Sequence, residues 1–169
     1  MLALSAIDEA KDMTGVEIKI KWPNDLYVGK KKLGGMLTEF SIKDGIADYV
    51  ILGLGLNINW MPGEHDGLVY PATSILAETG RTTSRSELLA GILTRFDAYY
   101  KKALSGETDF LHSRWNELSL VIGKEVEIIS PEEKIKGKAI SIDKTGALIL
   151  KNSLDEELTI LSGDVSLRF

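Results

Sequence analysis

The sequence has no cysteine and two histidines, His65 and His112, among its 169 residues. Without cysteine the chain has no disulfide, no thiolate nucleophile and no cysteine-bound zinc, and two isolated histidines do not make a metal cluster. No apolar run reaches the roughly 18 to 20 residues of a membrane span, and the first residues lack the basic flank of a signal peptide. These absences predict a soluble, cytoplasmic protein with no membrane partner and no protein-held metal.

Basic residues are also in the minority, with 20 Lys and Arg against 25 Asp and Glu, for a formal net charge of -5. Broad contact with a phosphate backbone needs a basic face, so the charge argues against nucleic acid as a partner. The contents of 44% apolar and 27% charged residues are ordinary for a globular protein. A chain of this length can bury one medium core and one small core.

Three blocks in the first third of the chain place cations, a carboxylate, amides and glycines beside apolar residues. They are Lys-Trp-Pro-Asn-Asp at 21–25, Lys-Lys-Lys-Leu-Gly-Gly-Met-Leu at 30–37 and Gly-Leu-Gly-Leu-Asn-Ile-Asn at 53–59. Glycine inside a strand loses packing and backbone entropy, so we expect a ligand or another backbone to approach closely there. A β-bulge is the alternative. We interpret the three blocks as one ligand site.

The periodicity of the first 119 residues predicts a domain of helices and strands. Asp44-Gly45 is a strong hairpin signal, which predicts that the strands on either side of it pair antiparallel. Residues 49–56 are apolar on both faces, so we expect their strand in the centre of the sheet, covered by helices. Ser84 and Glu87 form a capping box. The expected helices are 1–14, which Gly15 ends as a left-handed cap, 74–78, which Thr73 or Ser74 could cap, 84–104 and 109–118. The expected strands are 16–21, 26–28, 33–43 and 46–58.

The apolar period changes to two after residue 120. About five short strands at near-regular spacing follow, which is typical of a small barrel. We therefore predict a domain boundary near residue 120, between 1–119 and 120–169. The first helix begins at Met1 without an N-cap, which predicts that the chain once continued upstream or needs a partner there.

In composition and order, the three blocks resemble the central catalytic region of biotin protein ligases. These enzymes adenylate biotin with ATP and pass it to a lysine of an acceptor protein. The resemblance implies an α+β fold, with a mixed sheet covered by helices on one face and followed by an SH3-like barrel. In this scheme 1–119 is part of the catalytic domain. Biotin and ATP are the implied substrates, Mg²⁺ is expected, and the implied acceptor is the biotin carrier domain of a carboxylase such as acetyl-CoA carboxylase.

The resemblance also implies roles for residues of the blocks. Lys32, which precedes the Leu-Gly-Gly step, is implied at the junction of carboxyl and phosphate in the adenylate, and Asp25 beside the acyl-adenylate. These two are the expected catalytic residues. Asn57 matches an asparagine that lies by the adenine. The other expected binding residues are Lys21, Trp22, Asn24, Gly34, Gly35, Met36, Leu37, Gly55 and Arg168.

The residues alone leave simpler explanations open. Residues 30–32 could be a solvated turn, and the polar pair after Pro23 could form an Asx turn. Lys21 could be paired with a carboxylate for structural reasons. Trp22 could anchor a core or a loop instead of stacking on biotin, and Arg168 could be only a terminal charge.

One feature of the family is missing, namely a Gly/Arg-rich loop for phosphate and biotin well before the Lys-Trp-Pro-Asn-Asp block, which twenty residues precede here. A truncated chain, half of a split enzyme and a remnant kept for binding are three explanations, and the uncapped first helix favours truncation. The functional alternatives are a non-catalytic module that binds an adenylate or a protein, and a relative of lipoate or octanoyl transferases. Addition of a strand to the sheet, from the acceptor or from a second copy, motivates a possible homodimer.

Overall fold

Two hydrophobic cores organise the chain. The computed structural model describes residues 1–63, 71–129 and 134–166. Residues between positions 3 and 118 form the first core, and residues between 121 and 165 form most of the second. No helix in the described ranges is both long enough and apolar enough to span a bilayer. In chain order the elements are α1 (Leu2–Thr14), β1 (Lys19–Lys21), β2 (Asp25–Val28), β3 (Lys31–Lys43), β4 (Ile46–Leu56), α2 (Ile75–Thr79), α3 (Arg85–Leu104), α4 (Asp109–Leu118), β5 (Glu125–Ile129), β6 (Lys134–Ile142), β7 (Leu148–Lys151), β8 (Glu157–Ile160) and β9 (Asp164–Ser166).

The first helix, α1, turns an apolar face into the first core. Leu4 and Ile7 are almost fully buried, and the helix lies against α3. Gly15 ends α1 with φ at 76°, and its N–H donates to the carbonyl of Lys11 at 2.7 Å. Glycine adopts this left-handed conformation without strain. The predicted end of the helix is confirmed.

The first sheet is a four-stranded meander in the order β1-β2-β3-β4, and all of its ladders are antiparallel. Parallel pairing in the described residues is confined to two isolated bridges, of Ile20 with Ser119 and of Lys32 with Ala72. The prediction of a mixed sheet was therefore wrong, because every ladder between the described strands is antiparallel. Short turns connect the four strands, and short turns can join only antiparallel neighbours.

Strand β4 lies at the edge of this sheet and not at its centre, so that prediction was wrong. Tyr49, Val50 and Ile51 are 54%, 53% and 55% exposed. Near the end of the strand, Leu54 and Leu56 pack against the first core. The apolar pattern was interpreted as burial on both faces, but a pattern within one strand does not say whether another element covers it.

The hairpin turn and the Ser84 half of the predicted capping box are confirmed. Asp44 and Gly45 have φ values of 52° and 79° in the hairpin between β3 and β4, as a two-residue type I′ turn requires. Ser84 accepts a hydrogen bond from the N–H of Glu87 at the start of α3. These signals succeed because each depends on a few residues that are adjacent in the chain.

The C-terminal strands form one five-stranded antiparallel sheet in the order β8-β7-β6-β5-β9. Ile128, Leu148 and Leu150 are fully buried on it. Within the described residues no ladder joins β8 to β9, so the closed barrel that we predicted was wrong. The number and spacing of short strands are the same for an open and for a closed sheet, and the sequence therefore did not distinguish them.

Candidate active site

An ion pair between neighbouring strands forms the centre of the candidate site. Nζ of Lys32 on β3 lies 2.6 Å from Oδ1 of Asp25 on β2, with the two side chains 41% and 21% exposed. The register shifts between Leu26 and Tyr27, so that it skips Leu33. Leu33 is fully buried, and the irregularity lets it enter the core while Lys32 meets Asp25. The bulge considered for the paired glycines therefore lies one residue earlier.

Different neighbours explain the paired glycines. A Cβ on Gly34 would lie 2.2 Å from the carbonyl oxygen of Gly55, because the backbone of β4 occupies that space. A Cβ on Gly35 would lie 3.0 Å from Oδ1 of Asp25 and 3.7 Å from Cε of Lys32. Gly34 thus permits the close approach of two strands, whereas Gly35 leaves room for the ion pair.

Two hydrogen bonds hold the Asn-Asp turn against β3. Nδ2 of Asn24 donates to the carbonyl of Met36 at 2.7 Å, and the N–H of Met36 donates to the carbonyl of Asn24 at 2.9 Å. The amide of Asn24 therefore bonds across to β3 and does not only close a local turn. Met36 packs against the first core, whereas Leu37 is 61% exposed. This pair of bonds fixes the position from which Asp25 reaches Lys32.

Lys21 brings a second ammonium group to the same turn. It lies opposite Asp25 in the register of β1 and β2, and its Nζ is 5.7 Å from the centre of the Tyr27 ring. Burial lowers the pKa of Lys21, the charges of Asp25 and Asp164 oppose this effect, and the charge of Lys32 adds to it. The half-buried cation thus has acidic neighbours from both domains.

Thr73 and Glu78 fix the backbone at Lys32, and sequence reasoning did not place Glu78 in the site. The N–H of Thr73 donates to the carbonyl of Lys32 at 2.8 Å, and the N–H of Lys32 donates to the carbonyl of Pro71 at 2.8 Å. Glu78 accepts hydrogen bonds from Nζ of Lys31, at 2.6 Å, and from Oγ1 of Thr73. These bonds, that of Lys31 first, lower the pKa of Glu78. Thr73 was visible as a possible helix cap, but no sequence signal connects Glu78 with Lys31.

Asn57 is joined to Lys32 through Thr73. Its Nδ2 donates to the carbonyl of Thr73 at 3.1 Å, and its N–H donates to the carbonyl of Leu33 at 2.9 Å. The half-buried amide therefore finds a backbone partner, as buried polar groups do. The residue that follows β4 is in this way held beside the start of β3.

Trp22 lies away from the ion pair, in the second core. Its indole is 2% exposed, and Nε1 donates to the carbonyl of Gly146 at 3.0 Å. The core-anchoring explanation fits this position, because the indole packs among the buried residues of the second core. Arg168, another candidate, falls outside the described residues.

A cleft of about 540 Å³ lies between α4 and the second sheet. Trp22 and Pro23 are its lining residues from the turn, and Lys32, Asp25 and Asn57 do not line it. The candidate site is instead an open surface with two ammonium groups, one carboxylate and bare glycine backbone. Such a surface suits an anionic ligand, because charged hydrogen bonds to phosphate or carboxylate oxygens are the strong ones.

Comparison with known proteins places this chemistry in a family. A model of the biotin/lipoate A/B protein ligase family matches residues 1–57, and a model of the biotin protein ligase C terminal domain matches 121–168. The apo structure of the biotin protein ligase from Aquifex aeolicus matches with a TM-score of 0.84 and 30% identity, over 99% of this chain and 72% of that one. The chain belongs to the biotin protein ligase family.

Other members of the biotin protein ligase family extend the comparison. The Aquifex aeolicus ligase in complex with biotin and ATP matches with a TM-score of 0.83 and 30% identity, over 99% of this chain and 68% of that one. The bifunctional ligase/repressor BirA of Bacillus subtilis is 29% identical over 99% of this chain and 51% of its own length. The biotin--[acetyl-CoA-carboxylase] ligase of Mycobacterium tuberculosis is 28% identical over 96% of this chain and 59% of its own length. This chain spans about half the length of the curated relatives it matches.

Proposed function

We propose that this chain is the part of a biotin protein ligase that holds the adenylate. In the proposed reaction a carboxylate oxygen of biotin attacks the α-phosphorus of ATP and pyrophosphate leaves. The amine of an acceptor lysine then attacks the acyl carbon, loses a proton and displaces AMP. The observation that carries the proposal is the ion pair of Lys32 and Asp25 over Gly35, which hydrogen bonds through Thr73 connect to Asn57.

Lys32 is proposed to bind the oxygens where the biotin carboxyl meets the α-phosphate. Two anions repel each other as they approach, and negative charge builds on the phosphoryl oxygens in the transition state, so a fixed cation lowers the barrier. Asp25 holds the ammonium group in place before the ligand arrives. Once the adenylate is bound, Asp25 lies beside the acyl group, where its carboxylate can accept a hydrogen bond from the attacking amine.

The remaining site residues are proposed to contact the rest of the ligand. Lys21 supplies a second positive charge for the phosphate. Asn57 contacts the adenine, with its amide oriented by the bond to Thr73. Arg168 stays a proposed contact from the C-terminal domain. The surface along the ligand is proposed to consist of Asn24, Gly34, Gly35, Met36, Leu37 and Gly55.

Mg²⁺ is proposed to arrive with ATP and not to be held by this chain. Within 1–63, 71–129 and 134–166, no group of three or more His, Asp or Glu side chains is arranged to hold a metal ion, and Asp25 is engaged by Lys32. The donor set therefore does not fit a protein-held ion. Mg²⁺ commonly takes oxygen ligands from substrate phosphates and water.

The proposed acceptor is the biotin carrier domain of a carboxylase, a choice supported by the name of the Mycobacterium tuberculosis relative. The exposed edge of β4 offers a place for a further strand from the acceptor or from a second copy, so we also propose a homodimer. We further propose a partial catalytic domain over 1–119, an open SH3-like domain over 120–169, and a cytoplasmic location.

A binding and transfer experiment tests the function. The purified chain is mixed with ATP, Mg²⁺, radiolabelled biotin and a carrier domain, and the label on the carrier is measured. In parallel, calorimetry measures the affinity for a non-hydrolysable biotinyl-adenylate mimic. We expect the mimic to bind, and Asn57→Ala to weaken it about five- to tenfold, since one lost hydrogen bond is worth about 1 kcal/mol.

Each outcome separates the candidate functions. Label on the carrier supports the ligase. Binding of the mimic without label favours the non-catalytic module, and equal transfer of labelled lipoate favours the lipoate-ligase relative. A chain that neither binds the mimic nor labels the carrier contradicts the proposal.

A further inference from the structure

Trp22 follows a strand of the first sheet but packs in the core of the second domain. It comes directly after β1, yet its indole is 2% exposed and belongs to the same core as Val121, Ile128 and Val165. Among the buried residues described in that core, it is the one that comes from the first 120 residues, and Trp115 of α4 packs against the same core while only partly buried. The turn that carries the candidate site therefore begins inside the other domain.

The second domain holds the indole through the loop of residues 143–147, which its own hydrogen bonds order. Nε1 of Trp22 donates to the carbonyl of Gly146 at 3.0 Å. Gly146 has φ at 91°, and Oδ1 of Asp143 accepts the N–H groups around it, from Thr145 at 2.8 Å and from Ala147 at 3.0 Å. Positive φ at this position suits glycine, and the bond of the Ala147 N–H to Asp143 holds the peptide unit that carries the acceptor carbonyl. The acceptor of the indole N–H is thus set by the loop itself.

Helix α4 holds the same loop from its other end. The side chain of Asn116 accepts the N–H of Ile142 at 2.9 Å and donates to its carbonyl at 3.0 Å. The residues just after α4 are also joined to β1, since the N–H of Leu120 donates to the carbonyl of Ile20 at 2.7 Å. Hydrogen bonds therefore join the two domains both at Ile20, just before Trp22, and at the Trp22 indole itself.

The other end of the turn is held by β3. Asn24, two residues after Trp22, exchanges two hydrogen bonds with Met36, and the next residue, Asp25, meets Lys32 at 2.6 Å. Pro23 lies between the two anchors and restricts the backbone there. A displacement of the indole is in this way passed to Asn24 and Asp25 over a very short and stiff segment.

We propose that Trp22 is a positioning residue, through which the loop of the second domain sets the placement of Asn24 and Asp25 relative to Lys32. The inference deepens the proposed function and rests on it where ligand binding is concerned. It gives the second domain a part in the site in addition to the proposed contact of Arg168. It also accounts for a tryptophan in a block that otherwise consists of polar residues and proline.

The test variant is Trp22→Phe, which keeps an aromatic ring in the core and removes the hydrogen-bond donor. The first readout is hydrogen exchange at the amide of Met36, whose acceptor is the carbonyl of Asn24, measured on the full chain without ligand. We expect this amide to exchange about three- to tenfold faster, while amides of the second sheet keep their wild-type rates. The second readout is affinity for the biotinyl-adenylate mimic, which we expect to fall by a similar factor.

Val126→Ala serves as the matched control. Val126 is buried in the same core, on β5, and its truncation weakens that core without removing a bond to the turn. We expect the control to lower the melting temperature while exchange at Met36 and affinity for the mimic stay at wild-type values. A purely structural role for Trp22 predicts instead that both variants behave alike.

Gly146→Ala is the second test variant, to be used if the Trp22→Phe chain does not fold. It keeps the indole and strains the backbone that presents the acceptor carbonyl, so we expect the same direction of change at Met36. Wild-type exchange at Met36 in the folded variants overturns the inference. If the wild-type chain itself does not bind the mimic, the proposed function fails, and the exchange data still decide whether Trp22 positions the turn.

Discussion

Lys32 and Asp25 face each other at 2.6 Å while the lysine side chain keeps 41% of its surface exposed. Exposed ion pairs contribute about 0 to 1 kcal/mol to stability, because water screens them and two side chains lose freedom. Stability is therefore a weak reason for this pair. A partly exposed lysine that one carboxylate holds in place can instead bind a phosphate or carboxylate oxygen of a ligand at small cost.

Lys32→Ala tests this role at the level of a single residue. We expect affinity for the biotinyl-adenylate mimic, measured by calorimetry, to fall about tenfold or more, since a charged hydrogen bond is worth about 1.5 to 3 kcal/mol. Lys30→Ala makes the same change in charge in the exposed turn just before β3, and we expect it to have little effect. Equal losses in the two variants would favour the solvated turn over the catalytic role.

Glu78→Gln tests the bonds of Glu78 to Lys31 and Thr73, which hold the backbone near Lys32. The readout is the pH dependence of stability. Hydrogen bonds from Lys31 and Thr73 lower the pKa of Glu78 in the folded chain, so its stabilisation is fully present above the unfolded pKa and is lost as pH falls through the folded pKa. We expect the free energy of unfolding of the wild type to exceed that of the variant by about 1 kcal/mol or less at pH 7. The difference is small because Lys31 is half exposed.

Urea unfolding at a series of pH values measures that difference. It should shrink as the pH falls below 4.5, the ordinary pKa of this glutamate. Glu39→Gln, on the exposed part of β3, is the control for the exchange of a carboxylate for an amide. A gap between wild type and Glu78→Gln that stays constant down to acid pH contradicts the assignment.

At the scale of elements, the contact of β3 with β4 places demands on the backbone that differ from one glycine to the next. A Cβ on Gly34 would lie 2.2 Å from the carbonyl oxygen of Gly55, a backbone atom that cannot rotate away. A Cβ on Gly53 would have its nearest neighbour, the carbonyl oxygen of Leu37, at 3.6 Å, which is ordinary contact. In a single ladder, therefore, Gly34 cannot accept a Cβ without a backbone shift, whereas Gly53 can.

Gly34→Ala and Gly53→Ala make a matched pair of stability tests. We expect Gly34→Ala to lower the free energy of unfolding by about 1 to 3 kcal/mol, as overpacking does. We expect Gly53→Ala to leave it unchanged or to raise it by about 0.4 to 1 kcal/mol, because alanine restricts the unfolded chain. Urea unfolding measures both values. The reverse order would show that β3 and β4 are not in the described register.

The elements that could be predicted are those whose signals are local. Asp44-Gly45 turned the hairpin, and Ser84 capped α3, because each needs only neighbouring residues. The edge position of β4 depends on which elements lie beside it, and an apolar pattern does not carry that information. The bond of Trp22 to Gly146 joins residues 124 positions apart, so no window of sequence contained it.

The same limit applies to the candidate site. The blocks at 21–25 and 30–37 could be linked from sequence because both combine charges with turn residues. Glu78 could not, since its role depends on α2 placing it within 2.6 Å of Lys31. Local chemistry therefore indicated a shared site, and the family resemblance singled out Lys32 and Asp25. Their ion pair and the residues that fix it came only from tertiary structure.

At the scale of the whole molecule, the first sheet ends in an apolar edge. In the described part of the chain no strand pairs with the outer side of β4. Phe40, Ile46 and Ile51 around the hairpin are 64%, 73% and 55% exposed. An edge that is long, apolar and uncovered is a template for pairing with another chain, and a second copy would bury it by continuing the sheet.

Ile51→Lys tests the proposed homodimer. A lysine on the edge strand repels the same lysine of the second copy and must lose its water when the strands pair. We therefore expect the variant to be monomeric at micromolar protein concentrations. Analytical ultracentrifugation of the wild type and the variant at several concentrations measures this. Leu154→Lys introduces the same change at a residue that is 74% exposed in the second domain, and we expect it to leave self-association intact. A wild-type chain that stays monomeric, or a dimer that Ile51→Lys does not weaken, rules out β4 as the interface.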